Sequence, residues 1–448
     1  MAKHDPCLQS NISAPQAVLS KRWIIWLIPC LLYATSHFHR VAPTVIFDDL
    51  MTAFNTSGAA LGALGSIYFY VYALMQIPSG ILADTLGPKK TITGGAVTGS
   101  LGAFIFGSAT TLWLAYLGRF FIGLGMSLIF ICIMKLVAEW FRDNEFATMS
   151  GLTLFGGNLG SMVATTPLYL LVVAIGWRAS FHVIALITVL FGILAWNFVA
   201  NRPNFSESMA EKRSKAEPGK LKLQLLETIL NKSIWPTVTM SFGLYGTMLA
   251  LKGMWLGPYL TQVYGMSRDQ ATNYVLLSLI AGLIGPLMMG FLSDRIGRRK
   301  LPIMLFTPLY LVIWLLLAFW NGGMPPLAAL PYLLIMLGIF CSPAALTWAC
   351  AKEVSHPSVV GLATGIANIG GFLGGAVMQF LFGYILDLNW QGTVVNGLRI
   401  YPVEAYQSAF LVTAGVVFCS LLTTFFIKET YCQNIYTGNT ATPEKLAE

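Results

Sequence analysis

Apolar stretches of roughly 20 residues, the length a helix needs to cross about 30 Å of hydrocarbon, recur along almost the whole chain. Twelve can be marked: 23–47, 60–83, 92–110, 113–138, 150–175, 180–200, 234–263, 272–293, 301–320, 326–350, 361–386 and 406–427. Short polar turns separate them. This pattern suits a helical bundle, in which each segment satisfies its own backbone, and not a barrel of weakly alternating strands. The expected fold class is therefore an all-α membrane protein. Composition agrees, since 56% of residues are hydrophobic and only 10% charged, against about 25% charged in soluble domains. The first stretch is too long for a signal-peptide core and has no small-residue cleavage site after it, so it is expected to stay as a first span.

The net charge of +8 raises a nucleic-acid reading, but the placement of the 27 Lys and Arg residues argues for membrane topology instead. Twenty fall on one side, including Lys21, Arg22, Lys89, Lys90, Arg142, six between Arg202 and Lys222, and the run Arg295, Arg298, Arg299 and Lys300. Only Arg178, Arg268 and Arg399 fall on the other. The excess places both termini and the central polar segment in the cytoplasm, with the chain in the cell (inner) membrane and the bilayer as its main partner. The seven cysteines have no framework spacing, and most lie inside apolar stretches, as small packing residues do.

Residues 202–232, beginning NRPNFSESMAEKRSKAEPGK, are the one long polar stretch between spans and divide them six and six. The expected organisation is a tail at 1–21, a six-span half at 22–201, a linker at 202–232, a second half at 233–428 and a tail at 429–448. The end of the linker, LKLQLLETIL, reads as a surface helix or a plain solvated segment.

Internal repetition supports that division. Gly80, Asp84, Gly87 and Lys90 in GILADTLGPKK recur 210 positions later as Gly290, Asp294, Gly297 and Lys300 in GFLSDRIGRRK. Gly151, Gly156, Gly157 and Gly160 match Gly365, Gly370, Gly371 and Gly374 at an offset of 214, with Glu139 and Glu353 in the same frame. The first and seventh spans align at 212, pairing Tyr33 with Tyr245, Thr35 with Thr247, and Arg40 with Lys252. A carboxylate such as Asp84 beside a helix end can bind helix N-termini or arginines of a neighbouring bundle and so latch one conformation. An ordinary charged turn that fixes topology is the plainer alternative.

These motifs resemble those of the major facilitator superfamily. Its signature between the second and third spans is met at Gly80, Asp84, Gly87, Lys89 and Lys90, and LGRFFIGLG puts Arg119 at the arginine of its fourth-span pattern. The resemblance covers roughly residues 22–428. It implies twelve transmembrane helices in two pseudo-symmetric six-helix bundles, secondary transport by alternating access, and a functional monomer. The family's drug antiporters often carry Gly-Pro-x-x-Gly-Gly in the fifth span; GGNLGSMVATTP departs from it, which disfavours drug efflux.

A charge within a bilayer costs about 2.5–3.5 kcal/mol even on insertion scales, so four intramembrane cations stand out: Arg40, Arg119, Lys135 and Lys252. Arg40 lies about 26 Å along the first span from Trp23 and can snorkel outward or face a cavity. Lys252 is followed by a long uncharged flank in which Gly257 and Pro258 are expected to break the helix. Pseudo-symmetry sets the two cations opposite each other, and with no intramembrane carboxylate nearby they call for an anion near the midplane. The arrangement is similar to the organophosphate and organic-anion branch of the superfamily, whose basic residues in the first and seventh spans grip a phosphoryl group. Lysine at 252 is a point charge where arginine would bind bidentately, so carboxylates, sulfonates and amino acids stay open beside phosphate esters.

His37 shares a face with Arg40 and, with His39, is a candidate for substrate contact or the coupling proton. Tyr33, Tyr245, Trp255 and also Tyr68, Tyr70 and Tyr72 are candidate lining aromatics, with bundle packing as the alternative. Lys135 precedes Glu139 by four residues and is expected to pair with it. Arg119 either influences proton exchange or makes a structural bond. Coupling reads as anion exchange, or as proton symport through His37, His39, Asp48 or Asp49. No metal, cofactor or nucleic-acid partner is implied, and no nucleophile with a base, phosphate loop or metal cluster supports an enzyme. The alternatives are an exporter of drugs, cations or neutral metabolites, and a non-transporting receptor on a transporter fold.

Overall fold

The computed structural model describes residues 16–142, 145–201, 226–356 and 359–436. The expected tails and linker lie outside the described residues at 1–15, 202–225 and 437–448. Of the surface-helix candidate LKLQLLETIL only 226–230 is described, and it is helical.

In the first half of the chain the helices are α1 Gln16–Val45, α2 Phe47–Phe54, α3 Gly58–Leu74, α4 Gln76–Thr85, α5 Pro88–Gly107, α6 Leu112–Ser127, α7 Ile129–Trp140, α8 Phe146–Val163 and α9 Thr166–Phe198. In the second half they are α10 Trp235–Ser241, α11 Thr247–Ala250, α12 Leu256–Tyr264, α13 Arg268–Ile296, α14 Lys300–Phe319, α15 Leu330–Phe340, α16 Leu346–Glu353, α17 Val360–Leu388 and α18 Val403–Thr424. Among the described residues the only strand pairing is β1 Val394–Val395 with β2 Leu398–Arg399. Asn396 and Gly397 turn that ribbon with φ of 51° and 78°, the left-handed pair a tight hairpin needs.

Seven helical segments among the described residues are long and apolar enough to cross a membrane, with α6 and α7 together forming one and α15 and α16 another, or eight if the bent pair α2 and α3, at 117°, counts as one span. The other apolar stretches depart from that standard for local reasons. The 17 residues of α3 fall short of a span, and α5 dilutes its hydropathy with the small residues of TITGGAVTGSLG. Large apolar side chains stand exposed on the outer sides, Trp113 and Leu74 among them, the surface lipid covers.

Stretch 150–175 meets stretch 180–200 inside α9, where Gly176 has φ 78° and ψ 158°. That conformation is open to glycine and kinks the chain. In the stretch at 234–263, wide π-turns occupy Phe242–Gly246 and Leu251–Trp255. The disruption expected at Gly257 and Pro258 thus lies just upstream of them. Pro258 has no N–H for the carbonyl four residues back, and the wide turn before it absorbs that mismatch.

Within the first half, α1 packs on α8 and α5 packs on α6 and α9; within the second, α13 packs on α15 and α14 on α18. The most extensive seam between the halves is α3 against α17. Here Ser66 donates to the Ala376 carbonyl at 2.6 Å.

Candidate functional site

A cavity of about 260 Å³ opens between the halves, lined by α1, α8, the segment around Lys252, α13 and α17. It extends toward the end of the molecule at which α8 begins and α13 finishes, called here the terminal end. Both cations aligned by the repeat line it: Arg40, 4% exposed, and Lys252, 8% exposed.

Arg40 is held by groups from both halves. Its guanidinium lies 4.8 Å from the Tyr72 ring centre and 5.1 Å from that of Phe372, cation–π distances that favour the charge without neutralising it. Its Nε and Nη2 are buried without a hydrogen-bond partner. The helix under it is fixed by a proline. Pro43, inside α1, cannot donate to the carbonyl four residues back, that of His39. Arg119, 1% exposed, fills the gap by donating Nη1 to that carbonyl at 2.8 Å. Of the two roles open to Arg119, the structure supplies the interhelical bond.

Lys252 sits in the second π-turn and donates Nζ to the Ser278 carbonyl of α13 at 2.7 Å. An ammonium has three donors, so two remain for other partners. Gly282 makes the room, since a Cβ there would stand 2.7 Å from Nζ.

The paired tyrosines Tyr33 and Tyr245 both line the cavity, and the glycine repeat explains their placement. A Cβ at Gly157 would lie 2.6 Å from Tyr33, and one at Gly371 would lie 2.6 Å from Tyr245. The echoes at offsets 212 and 214 are thus one device used twice: a glycine admits a ring. His37 also lines the cavity, with Nδ1 3.4 Å from Ser161 Oγ and Nε2 buried without a partner. His39 does not line it; one residue before Arg40 it is turned about 100° around the helix, toward Phe181. Trp255 is also outside the lining, stacked on Phe382 at 5.3 Å and donating to the Gln379 carbonyl. Tyr72 lines the cavity; Tyr68 lies under Arg119, and Tyr70 is exposed. Phe372, Asn158, Asn368 and Gly282 carry no motif that singles them out in the sequence, although a glycine four residues before Pro286, one turn from Ser278, is a legible signal.

The repeated Gly-Asp-Gly-basic motif lies at the terminal end. Gly87 and Gly297 have φ of 83° and 70°, so both copies need glycine to turn the chain. Gly80 and Gly290 have open space about them, and Lys90 is exposed. Asp84 pairs with Lys135 at 2.6 Å, a partner from α4 that the helical spacing of Lys135 and Glu139 does not disclose. Asp294 pairs with Arg299 at 2.6 Å. Each of these partners belongs to the carboxylate's own half, and not to a neighbouring bundle.

The copies have diverged in burial. The two aspartates are alike, 75% and 67% exposed, and the difference lies in the cations: Lys135 is 25% exposed, whereas Arg299, 11% exposed, also grips the buried Glu353, 8% exposed, through Nε at 3.1 Å and Nη2 at 2.9 Å. Glu353 further accepts from Thr430, and Lys300 donates Nζ to the Phe425 carbonyl at 2.7 Å. Removing one partner of a buried pair costs about 3–5 kcal/mol, while an exposed pair contributes about 0–1 kcal/mol. Arg299→Met is therefore expected to lower the melting temperature of the purified protein several times more than Lys135→Met. Equal shifts would show that the second copy is no better insulated than the first.

The opposite, far end is closed between the halves. Arg268 reaches Asp49 at 2.9 Å and Asp48 at 3.5 Å, and the Gly257 amide donates to Thr44 Oγ1 at 3.0 Å. Asp387, near the end of α17, accepts from the Gly58 and Ala59 amides that begin α3, at 3.1 and 2.7 Å.

Known proteins share this architecture. The chain is 24% identical over 82% of its length to a probable sulfoacetate transporter of Cupriavidus necator, covering 88% of that protein. It is 26% identical over 87% of its length to a hexuronate transporter of Bacillus subtilis, covering 89% of it. Among solved structures, a bacterial homologue of the human lysosomal transporter Spinster superposes with a TM-score of 0.70 at 16% identity, over 91% of this chain and 98% of that one. The family model described as Major Facilitator Superfamily matches residues 30–377 and, in a second placement, 240–434. With an apolar helical fold, a cavity between two halves of a repeated sequence and that match over most of its length, the chain belongs to the Major Facilitator Superfamily of membrane transporters.

Proposed function

We propose that this chain moves a small organic anion across the cell (inner) membrane by alternating access of two six-helix bundles, twelve spans in all, with both termini cytoplasmic. The observation that carries the reading is the Arg40 guanidinium, buried between rings from both halves with two nitrogens unpartnered. A buried donor without a partner costs about 1–3 kcal/mol, more when charged, and an anionic group in the cavity relieves that cost. Lys252 supplies the second positive charge. The relatives named for sulfoacetate and hexuronate transport fit an anionic cargo. The carboxylate, sulfonate or phosphate head sits at Arg40; His37, beside it, contacts the cargo or carries the coupling proton, and counter-anion exchange is the other coupling mode. Asp84 and Asp294 act as conformational latches at the terminal end, and the monomer is the working unit.

The test is thermal unfolding of purified protein against phosphate esters, carboxylates, sulfonates and amino acids, repeated with Arg40→Ala and Lys252→Ala. A true ligand at 100 times its Kd stabilises by about 2.7 kcal/mol, and that gain should vanish in Arg40→Ala. Stabilisation by no anion, or stabilisation that survives Arg40→Ala, would sink the reading. Counterflow of the bound anion in proteoliposomes then separates a transporter from a receptor.

A further inference from the structure

Gln379 stands in the seam between α3 and α17 with 0% of its surface exposed. Glycines of α3 bring the two helices together there: a Cβ at Gly62 would lie 2.6 Å from the Gln379 main-chain oxygen, and one at Gly65 would lie 2.5 Å from its Oε1. On the other side a Cβ at Gly253 would lie 3.0 Å from Nε2. The side chain is thus wedged between the backbone of the first half and the π-turn that carries Lys252. Its main-chain carbonyl accepts from Trp255, but neither Oε1 nor Nε2 has a hydrogen-bond partner among the described residues. A primary amide carries two donors and an acceptor with two lone pairs, and in this seam they have lost water without replacement. The contacts already described at the seam and the far end all favour closure: Arg268 with Asp48 and Asp49, Asp387 with the α3 amides, and Ser66 with the Ala376 carbonyl. Gln379 opposes them, because parting α3 from α17 takes Gly65 away from Oε1 and lets water reach the amide.

We infer that Gln379 is a counterweight built into the seam: its unpaired amide raises the free energy of the far-end-closed state alone and so keeps the far-end-open state populated. This rests on the alternating-access reading given above and adds what stops the closed state from becoming a trap. Two conformations exchange usefully only when a few kcal/mol or less separate them. A seam of close backbone contacts, ion pairs and a helix cap, with nothing set against it, would lie far to one side. The amide acts from the middle of that seam, where its cost is relieved only when the two halves separate.

The experiment reads how fast a maleimide labels a thiol placed on the seam as Ser66→Cys, in the purified full chain without its seven native cysteines. Gln379→Met keeps an unbranched side chain of similar length and removes both unpaired groups. It should label about tenfold more slowly than the Gln379 parent, the shift expected when an unsatisfied buried amide is removed from one state only, and it should melt at a higher temperature. Gln379→Glu, which sets a carboxylate in the same place, should label faster than the parent. A side chain that only fills space would give the opposite sign for methionine, because an imperfect fit loosens the seam and speeds labelling. Labelling of Gln379→Met at or above the parent rate, or failure of that variant to fold, would overturn the inference and leave alternating access standing. A parent thiol that stays unlabelled until the chain is unfolded would show that the seam never opens, and would overturn the alternating-access reading together with this inference.

Discussion

Gly257→Val is expected to abolish counterflow in proteoliposomes while the protein stays soluble and monodisperse in detergent. Gly253 and Gly257 stand four residues apart on the face that meets α1. A Cβ at Gly257 would lie 2.6 Å from the Thr44 carbonyl oxygen, and one at Gly253 would lie 2.8 Å from that of Arg40. Such a spacing of small residues lets backbones touch within a membrane. A valine there forces the seam apart and removes the bond from the Gly257 amide to Thr44. Overpacking costs about 1–3 kcal/mol and the lost hydrogen bond about 0.5–1.5 kcal/mol. Both costs fall on the far-end-closed arrangement alone, so its population drops by roughly one to three orders of magnitude. Each half keeps its own packing, so the fold survives. Gly290→Ala is the matched control, because a Cβ there meets nothing within 4 Å. Wild-type counterflow in Gly257→Val would show that this seam need not close for transport.

The alignment of Arg40 with Lys252 is legible in the sequence alone, because a duplicated fold returns equivalent positions to equivalent places. Membership of the superfamily is legible for the same reason, in the Gly-Asp-Gly-basic motif that occurs twice. The direction of side chains is harder. His39 and Trp255 carry suitable chemistry at suitable depths, yet each points about a third of a turn or more from the cavity. For Trp255 the cause is the π-turn at Leu251–Trp255, which shifts the register of every later residue and leaves no mark in hydrophobic periodicity. Lys135 shows a different limit. Its neighbour on the helix is visible as Glu139, whereas its partner, Asp84, comes from a helix 51 residues away in sequence. The bond of Arg119 to His39 lies between these cases. Pro43 announces a carbonyl without a donor, but which cation answers it depends on how α6 crosses α1.

Asp387→Ala is expected to open the far end. Asp387 stands in the last turn of α17, where a negative charge faces the unfavourable pole of its own helix. It is offset by the start of α3, whose Gly58 and Ala59 amides it accepts, and by the Tyr401 hydroxyl at 2.7 Å. Arg399 adds a cation at 3.6 Å. The α3 amides come from the other half of the chain, so when the far end opens, Asp387 loses them and keeps the unfavourable pole. Its contribution therefore falls on the closed state. Capping interactions of this kind contribute about 0.5–2 kcal/mol, and hydrogen bonds to a charged acceptor about 1.5–3 kcal/mol. A loss near 2 kcal/mol corresponds to a roughly 30-fold shift toward the open far end. The readout is the labelling rate of a thiol introduced as Ser66→Cys on the seam, in a background lacking the seven native cysteines. Asp387→Ala should raise that rate, Asp387→Asn should raise it less because an acceptor remains, and Glu404→Ala, an exposed acid at the same end, should leave it unchanged. If Asp387→Ala labels no faster than the parent, the far end is held by the Arg268 pairs and the glycine seam alone, and the charge at the end of α17 has no part in choosing the side to which the cavity opens.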